Sequence, residues 1–183
     1  MSYIQPQGTG LSQNDTNALY QRFQQADTNR SGTISAQELH TLLGLLGYQQ
    51  FNLETCRMLI GLHDFDRNGT VDFNEFCAMW QYITQWNYHF RSFDQDNSGT
   101  IDARELQQAL QRFGFNLTPE ICAILVRKYD TYDRGSITFD SFVQCCVTMQ
   151  GLTRAFQQRD VTRTGTIQIG YYDFLTLVMG NGL

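Results

Sequence analysis

Two prolines, Pro6 and Pro119, and a single lysine, Lys128, occur in 183 residues. Proline removes a backbone donor and clashes inside a helix, so its scarcity leaves room for long uninterrupted helices. No apolar run reaches the roughly 18 residues that a membrane-spanning helix requires. Residues Met1 to Gly10 lack the basic and apolar regions of a secretory signal, so a cytoplasmic protein is expected. Five cysteines (Cys56, Cys77, Cys122, Cys145, Cys146) are odd in number and lack zinc-site spacing. They read as buried, reduced thiols. His40, His63 and His89 lie far apart and read as helix residues, not metal ligands. The arginines are dispersed, so nucleic acid is not an expected partner. Nucleophile-elbow, P-loop and zinc signatures are missing, and no enzymatic activity is expected.

What the chain does have is core material, at 42% hydrophobic and 13% aromatic, and a mild net charge of −5. That composition argues against wholesale disorder. The length suits one extended helical domain or two small fused ones. The acidic residues are not spread evenly. Ten of the 18 fall at chosen positions of three short loops, leaving 8 elsewhere against 13 basic residues.

These loops belong to a fivefold repeat beginning at Asp27, Asp64, Asp94, Asp130 and Asp160. The sixth position is always glycine: Gly32, Gly69, Gly99, Gly135 and Gly165. The eighth is always β-branched: Ile34, Val71, Ile101, Ile137 and Ile167. Glycine permits a sharp turn, and a β-branched residue suits a short strand pairing two loops back to back. Calcium is a hard cation that takes six to eight oxygens, at about 2.3–2.6 Å. Positions 1, 3, 5, 7, 9 and a bidentate acid at 12 supply them.

The loop 64–75 fits D-x-[DN]-x-[DN]-G-x5-E in full, with Asp64, Asp66, Asn68, Thr70, Asp72 and Glu75 as ligands. The loop 94–105 offers Asp94, Asp96, Ser98, Thr100, Asp102 and Glu105, departing only at Ser98. The loop 27–38 offers Asp27, Asn29, Ser31, Thr33 and Glu38, with two carboxylates, and by ligand charge should be the weakest. Two to three calcium ions per chain follow. A lone acidic turn often only caps a helix; three in register do not read that way. In the loop 130–141, Tyr132 and Arg134 take positions 3 and 5 and Ser141 takes position 12. In the loop 160–171, Thr162, Thr164 and Gln168 are followed by Tyr171 at position 12. Both read as hands that kept the turn and lost the ion.

Loop starts are 37, 30, 36 and 30 residues apart. Glu75 to Asp94 holds no glycine or proline and predicts one continuous helix, and a second is predicted from about Phe139 to Arg159, with Gly151 as its weak point. The longer ones hold turns, with Asn52 and Thr118 as N-caps and Pro119 at the first helical position. A first helix should begin near Ser12, behind a flexible tail over 1–11. The fold class expected is all-α: five EF-hand helix–loop–helix repeats over 12–183, with shared long helices and short paired loop strands. Strand pairs should join Ile34 to Val71 and Ile101 to Ile137. The fifth loop then has no partner within the chain, and an unpaired edge beside an apolar helix favours pairing with a second copy. Ile167, Tyr172, Phe174 and Leu175 are the expected contact. The apolar positions of the helix after Glu75 spread over roughly 220°, about twice what one packing face needs. An exposed aromatic pocket at Tyr82, Trp86 and Phe115 is therefore expected, and such rings suit a preorganised polyproline ligand.

The chain is identified as resembling the penta-EF-hand family, over about Leu11 to its end. The segment W-Q-Y-I-T-Q-W from Trp80, the loop F-D-Q-D-N-S-G-T-I-D from Phe93 and the R-F-G-F-N-L-T run from Arg112 carry the resemblance. The I-Q-I-G-Y-Y-D-F-L segment from Ile167 matches the fifth hand. The resemblance implies a calcium-dependent adaptor that takes Pro-rich segments of trafficking and membrane-associated proteins. It implies pairing through the fifth hand, as a homodimer or with a paralogue, and calcium-dependent recruitment to membranes. A calcium buffer and a regulatory subunit of a calpain-type protease are the alternatives.

Overall fold

A computed structural model describes residues 13–48 and 51–180; the expected tail over 1–11 lies outside them. Eight helices occur among these residues. They are α1 (Gln13–Ala26), α2 (Ala36–Leu45), α3 (Leu53–His63), α4 (Phe73–Phe93), α5 (Ala103–Arg112), α6 (Pro119–Tyr129), α7 (Phe139–Arg159) and α8 (Tyr171–Met179). Two short strands, β1 (Ile101–Asp102) and β2 (Ser136–Ile137), complete the set. None of these helices is long and apolar enough to cross a membrane. Packing divides the chain after Phe142 into two units.

The helix starts are written in side chains that also belong to the loops. Ser35, Asp72 and Asp102, at position 9, each N-cap the outgoing helix of their hand. The position-12 acids Glu38, Glu75 and Glu105 close the reciprocal half of each capping box. Asn52 caps α3, and Thr118 with Pro119 starts α6. The two shared segments are single 21-residue helices, α4 and α7, the second running through Gly151 unbroken.

Within the first unit the loops pair as expected. Ile34 and Val71 form an antiparallel bridge with N–H···O distances of 2.8 and 3.0 Å. Ile101 pairs with Ile137 in the antiparallel β1–β2 ladder. All four side chains are fully buried, so each pair is a hydrophobic peg beneath two turns. Above the first pair, Phe23 of α1 packs edge-on against Phe73 and Phe76 of α4. Leu39, Leu42 and Leu43 of α2 and Leu59 and Ile60 of α3 fill the space between. In the second pair, Leu106, Ala109 and Leu110 of α5 face Cys122 and Val126 of α6.

In the second unit, α8 buries none of its residues. Tyr172 is 82% exposed, and Tyr171, Phe174, Leu175 and Met179 are exposed with it. Among the described residues, the fifth loop carries no strand or bridge.

Candidate metal centres

All five loops share one backbone shape. Position 4 is left-handed in each, at Arg30, Arg67, Asn97, Asp133 and Arg163, with φ between 53° and 60°. Position 6 glycine follows with φ between 75° and 83°. The position-1 aspartate holds this turn closed: its carboxylate accepts the glycine N–H at 2.9, 2.8, 3.0, 2.6 and 2.8 Å, from the first loop to the fifth. A carboxylate ringed by N–H donors favours its charged form. Burial works against Asp64, yet the N–H groups of Gly69 and Asn68 hold it below its usual value. Asp96 is lowered by the Ser98 hydroxyl and N–H.

Three loops add a second device. Both oxygens of the position-12 glutamate are held by backbone N–H groups from opposite ends of the loop. Glu75 accepts from Phe65 at 2.8 Å and from Asp72 at 2.9 Å. Glu105 accepts from Gln95 at 2.8 Å and Asp102 at 3.1 Å, and Glu38 from Thr28 at 3.2 Å and Ser35 at 3.0 Å. This double clamp holds the bidentate acid over the loop before any ion is considered. Its N–H donors at positions 2 and 9 are backbone groups, which no sequence motif names.

The donors converge in two places. One carboxylate oxygen from each of Asp64, Asp66 and Glu75 lies within 4.8 Å of the others, and the same holds for Asp94, Asp96 and Glu105. Glu75 and Glu105 are buried, where an ionised acid needs compensating positive charge. Three carboxylates with hydroxyl, amide and carbonyl oxygens around them fit a hard divalent cation, and calcium fits the loop best. Asn68 accepts from the Thr70 N–H at 2.8 Å, and the Ser98 and Thr100 hydroxyls lie 3.2 Å apart. The first loop has the same turn and clamp, with Ser31 bonded to Asp27 and Asn29 through its N–H. It brings two carboxylates where the next two bring three or more.

The fourth loop turns its side chains to other ends. Arg134 lies over the Tyr132 ring, 5.2 Å from its centroid, and Ser141 at position 12 is buried. In the fifth loop, Thr162, Thr164 and Thr166 bond to one another, and Tyr171 points outward, 70% exposed.

The aromatic pocket differs from expectation. Trp86 is fully buried because rings from three segments close on it: Tyr82, His89, Phe113 and Phe142, at centroid distances of 5.6–6.3 Å. Phe113, not Phe115, is the α5-side ring in this cage. Trp80, Phe76 and Phe90 are buried too, so the broad aromatic stripe of α4 is mostly spent within the chain, Phe76 on Phe23 of α1 and Phe90 on Phe139 and Phe142 of α7, and Tyr88 is its exposed ring. Trp86 nevertheless keeps one unspent group: its indole N–H is buried without an acceptor.

Helix pairs closed over paired loops, with oxygen donors at the spacing calcium requires, define an EF-hand calcium-binding protein. The EF-hand domain pair family matches residues 16–81 and again 83–147. Human sorcin is 40% identical over 178 residues, covering 95% of this chain and 88% of its own. Mouse grancalcin is 40% identical over 82% of this chain and 69% of its own length, and zebrafish peflin 38% over 86% and 58%. A solved homolog of programmed cell death 6 protein from Leishmania major Friedlin superposes with a TM-score of 0.73 at 27% identity, covering 89% of this chain and 93% of that one. The chain belongs to the penta-EF-hand family.

Proposed function

We propose that this protein is a calcium-dependent adaptor, binding two to three ions through its first three hands and capturing Pro-rich peptide segments. The observation that carries the reading is the Trp86 cage. A buried indole N–H without an acceptor costs free energy of about 1–3 kcal/mol, and a peptide carbonyl is the acceptor that polyproline segments offer in abundance. Helix rearrangement on calcium binding is the way such a cage opens. Three ions would turn the formal charge of −5 into +1, easing self-repulsion and favouring association with partners and with membranes from the cytoplasm.

The partner copy is the second half of the reading. The exposed apolar face of α8, with Tyr172, Phe174 and Leu175, together with a half-buried Ile167 on an unpaired loop, supports pairing through the fifth hand. Either a second copy or a paralogue fits. Light scattering should give twice the 21.1 kDa chain mass, in calcium and in chelator alike; a monomer in both conditions overturns the pairing.

The adaptor reading is tested with a synthetic Pro-rich peptide containing tyrosine, titrated by calorimetry. Binding should occur in calcium and vanish in chelator. Trp86→Phe, which keeps a ring and removes the donor, should weaken it by about 1 kcal/mol or more with calcium stoichiometry unchanged. No peptide binding in calcium would leave a calcium buffer as the function.

A further inference from the structure

Beyond the loops and the Trp86 cage, the first unit holds a buried carboxylate whose hydrogen-bond partners are neutral side chains and backbone N–H groups, that of Asn52 among them. Asp140, in the first turn of α7, is 2% exposed. Its Oδ1 accepts from the Thr138 hydroxyl at 2.6 Å, and its Oδ2 accepts from Asn52 Nδ2 at 3.4 Å. Asn52 stands 88 residues away in sequence and does a second job. Its Oδ1 N-caps α3, accepting from the N–H of Thr55 at 2.8 Å and its hydroxyl at 3.1 Å. Rings seal the junction, with Phe51 and Tyr48 packed on Phe139 at 5.4 and 6.0 Å.

The consequence lies at the other end of α3. That helix runs from this junction to His63, and its C-cap is Asp64, the first ligand of the second loop. Calcium affinity depends on how well the ligands are preorganised, and a rigid helix transmits the position of its start to its end. We propose that Asp140 is a positioning residue for the second calcium site. By holding Asn52 it anchors the start of α3 on α7, and so sets the direction from which α3 delivers Asp64. Asp140 thereby links the fourth hand, which lacks the position-12 acid, to the second.

A local role makes a different forecast. The fourth loop pairs with the third through Ile101 and Ile137, so damage confined to the fourth hand reaches the third site first. The proposal rests on the second loop binding calcium, and the experiment separates the two questions. In the full-length chain carrying Glu38→Gln and Glu105→Gln, calorimetry reads the second site alone. With Glu38→Gln and Glu75→Gln it reads the third.

Asp140→Ala should weaken the second site by at least about threefold, in the range of coupled neighbours, and leave the third within about twofold. Asn52→Ser, which keeps an N-cap acceptor and loses the Nδ2 donor, should weaken the second site equally. The double variant should be no worse than either single one. Asp140→Asn, whose amide oxygen still accepts, should restore the affinity. Weakening confined to the third site, equal weakening of both, or additive effects of the two substitutions would overturn the proposal. No second-site binding in the parent background would overturn the calcium assignment itself.

Discussion

The second and fourth loops have the same backbone and different chemistry. Both place a non-glycine residue in the left-handed region at position 4, Arg67 and Asp133, and both close on glycine at position 6. Both use the position-1 aspartate to accept that glycine's N–H. The second loop then gathers Asp66, Asn68 and Glu75, where the fourth has Tyr132, Arg134 and Ser141. The turn therefore does not depend on the side chains at positions 3, 5 and 12. A position-1 aspartate is a structural residue in all five loops, and it says little about metal by itself. The decision falls at positions 3, 5 and 12, above all at 12, where the doubly clamped glutamate is present in three loops and missing from two.

The strongest way to break this comparison is to remove the clamped acid. Glu75→Ala and Glu105→Ala should each abolish one site, lowering stoichiometry by one ion per chain in calorimetry. Unchanged stoichiometry in both would show that the ions sit elsewhere. The reverse experiment sharpens it. If the fifth loop lacks only ligands, then Thr162→Asp, Thr164→Asp and Tyr171→Glu together should add one calcium ion per chain. A chain that folds and gains none would mean that the shared backbone shape is not enough.

Why the loops were readable is itself physical. An ion imposes its geometry through a handful of oxygens at set offsets, so the pattern is local and survives in the one-dimensional sequence. The pegs Ile34–Val71 and Ile101–Ile137 and the unbroken helices α4 and α7 are legible for the same reason. The Trp86 cage was not. A wide aromatic stripe says that a helix has several neighbours, but not whether the chain supplies them all. Phe113 and Phe115 differ by two positions across a turn, and the ring that reaches Trp86 depends on how α5 ends. The Asn52–Asp140 contact bridges 88 residues between an N-cap and a first-turn acid, both ordinary at helix starts, and leaves no local signal.

A smaller effect tests whether the turn is structural in hands with and without the position-12 acid alike. Gly69 and Gly135 have φ of 82° and 75°, and an added Cβ would meet nothing within 4 Å at either. Alanine there costs backbone strain alone, about 1 kcal/mol. Chemical denaturation in chelator should find the same loss for Gly69→Ala and Gly135→Ala. A loss at Gly69 only, and only in calcium, would make the left-handed turn a feature of the metal and not of the fold.

The smallest effect concerns Asp140, the buried acid of the fourth hand. Burial pushes the Asp140 carboxyl above its usual value, against the pull of the Thr138 hydroxyl. The folded protein thus holds that proton more tightly than the unfolded chain does. Stability from the protonated form is complete below the unfolded value, near about 4, and is lost as pH rises through the raised folded one. At neutral pH the group is therefore a buried charge with a net cost. Asp140→Asn keeps the shape and an acceptor without the charge, so in chelator it should melt a few degrees above the parent at pH 7. The advantage should shrink as pH falls through the raised Asp140 value and vanish near the unfolded one. The adjacent Cys56 thiol, pushed up to about 12 by burial and by the Asp140 charge, stays neutral across that window and adds no titration of its own. A variant that melts below the parent at pH 7, or a difference that ignores pH, would mean that the charge stabilises α7 through its helix N-terminus by more than its burial costs.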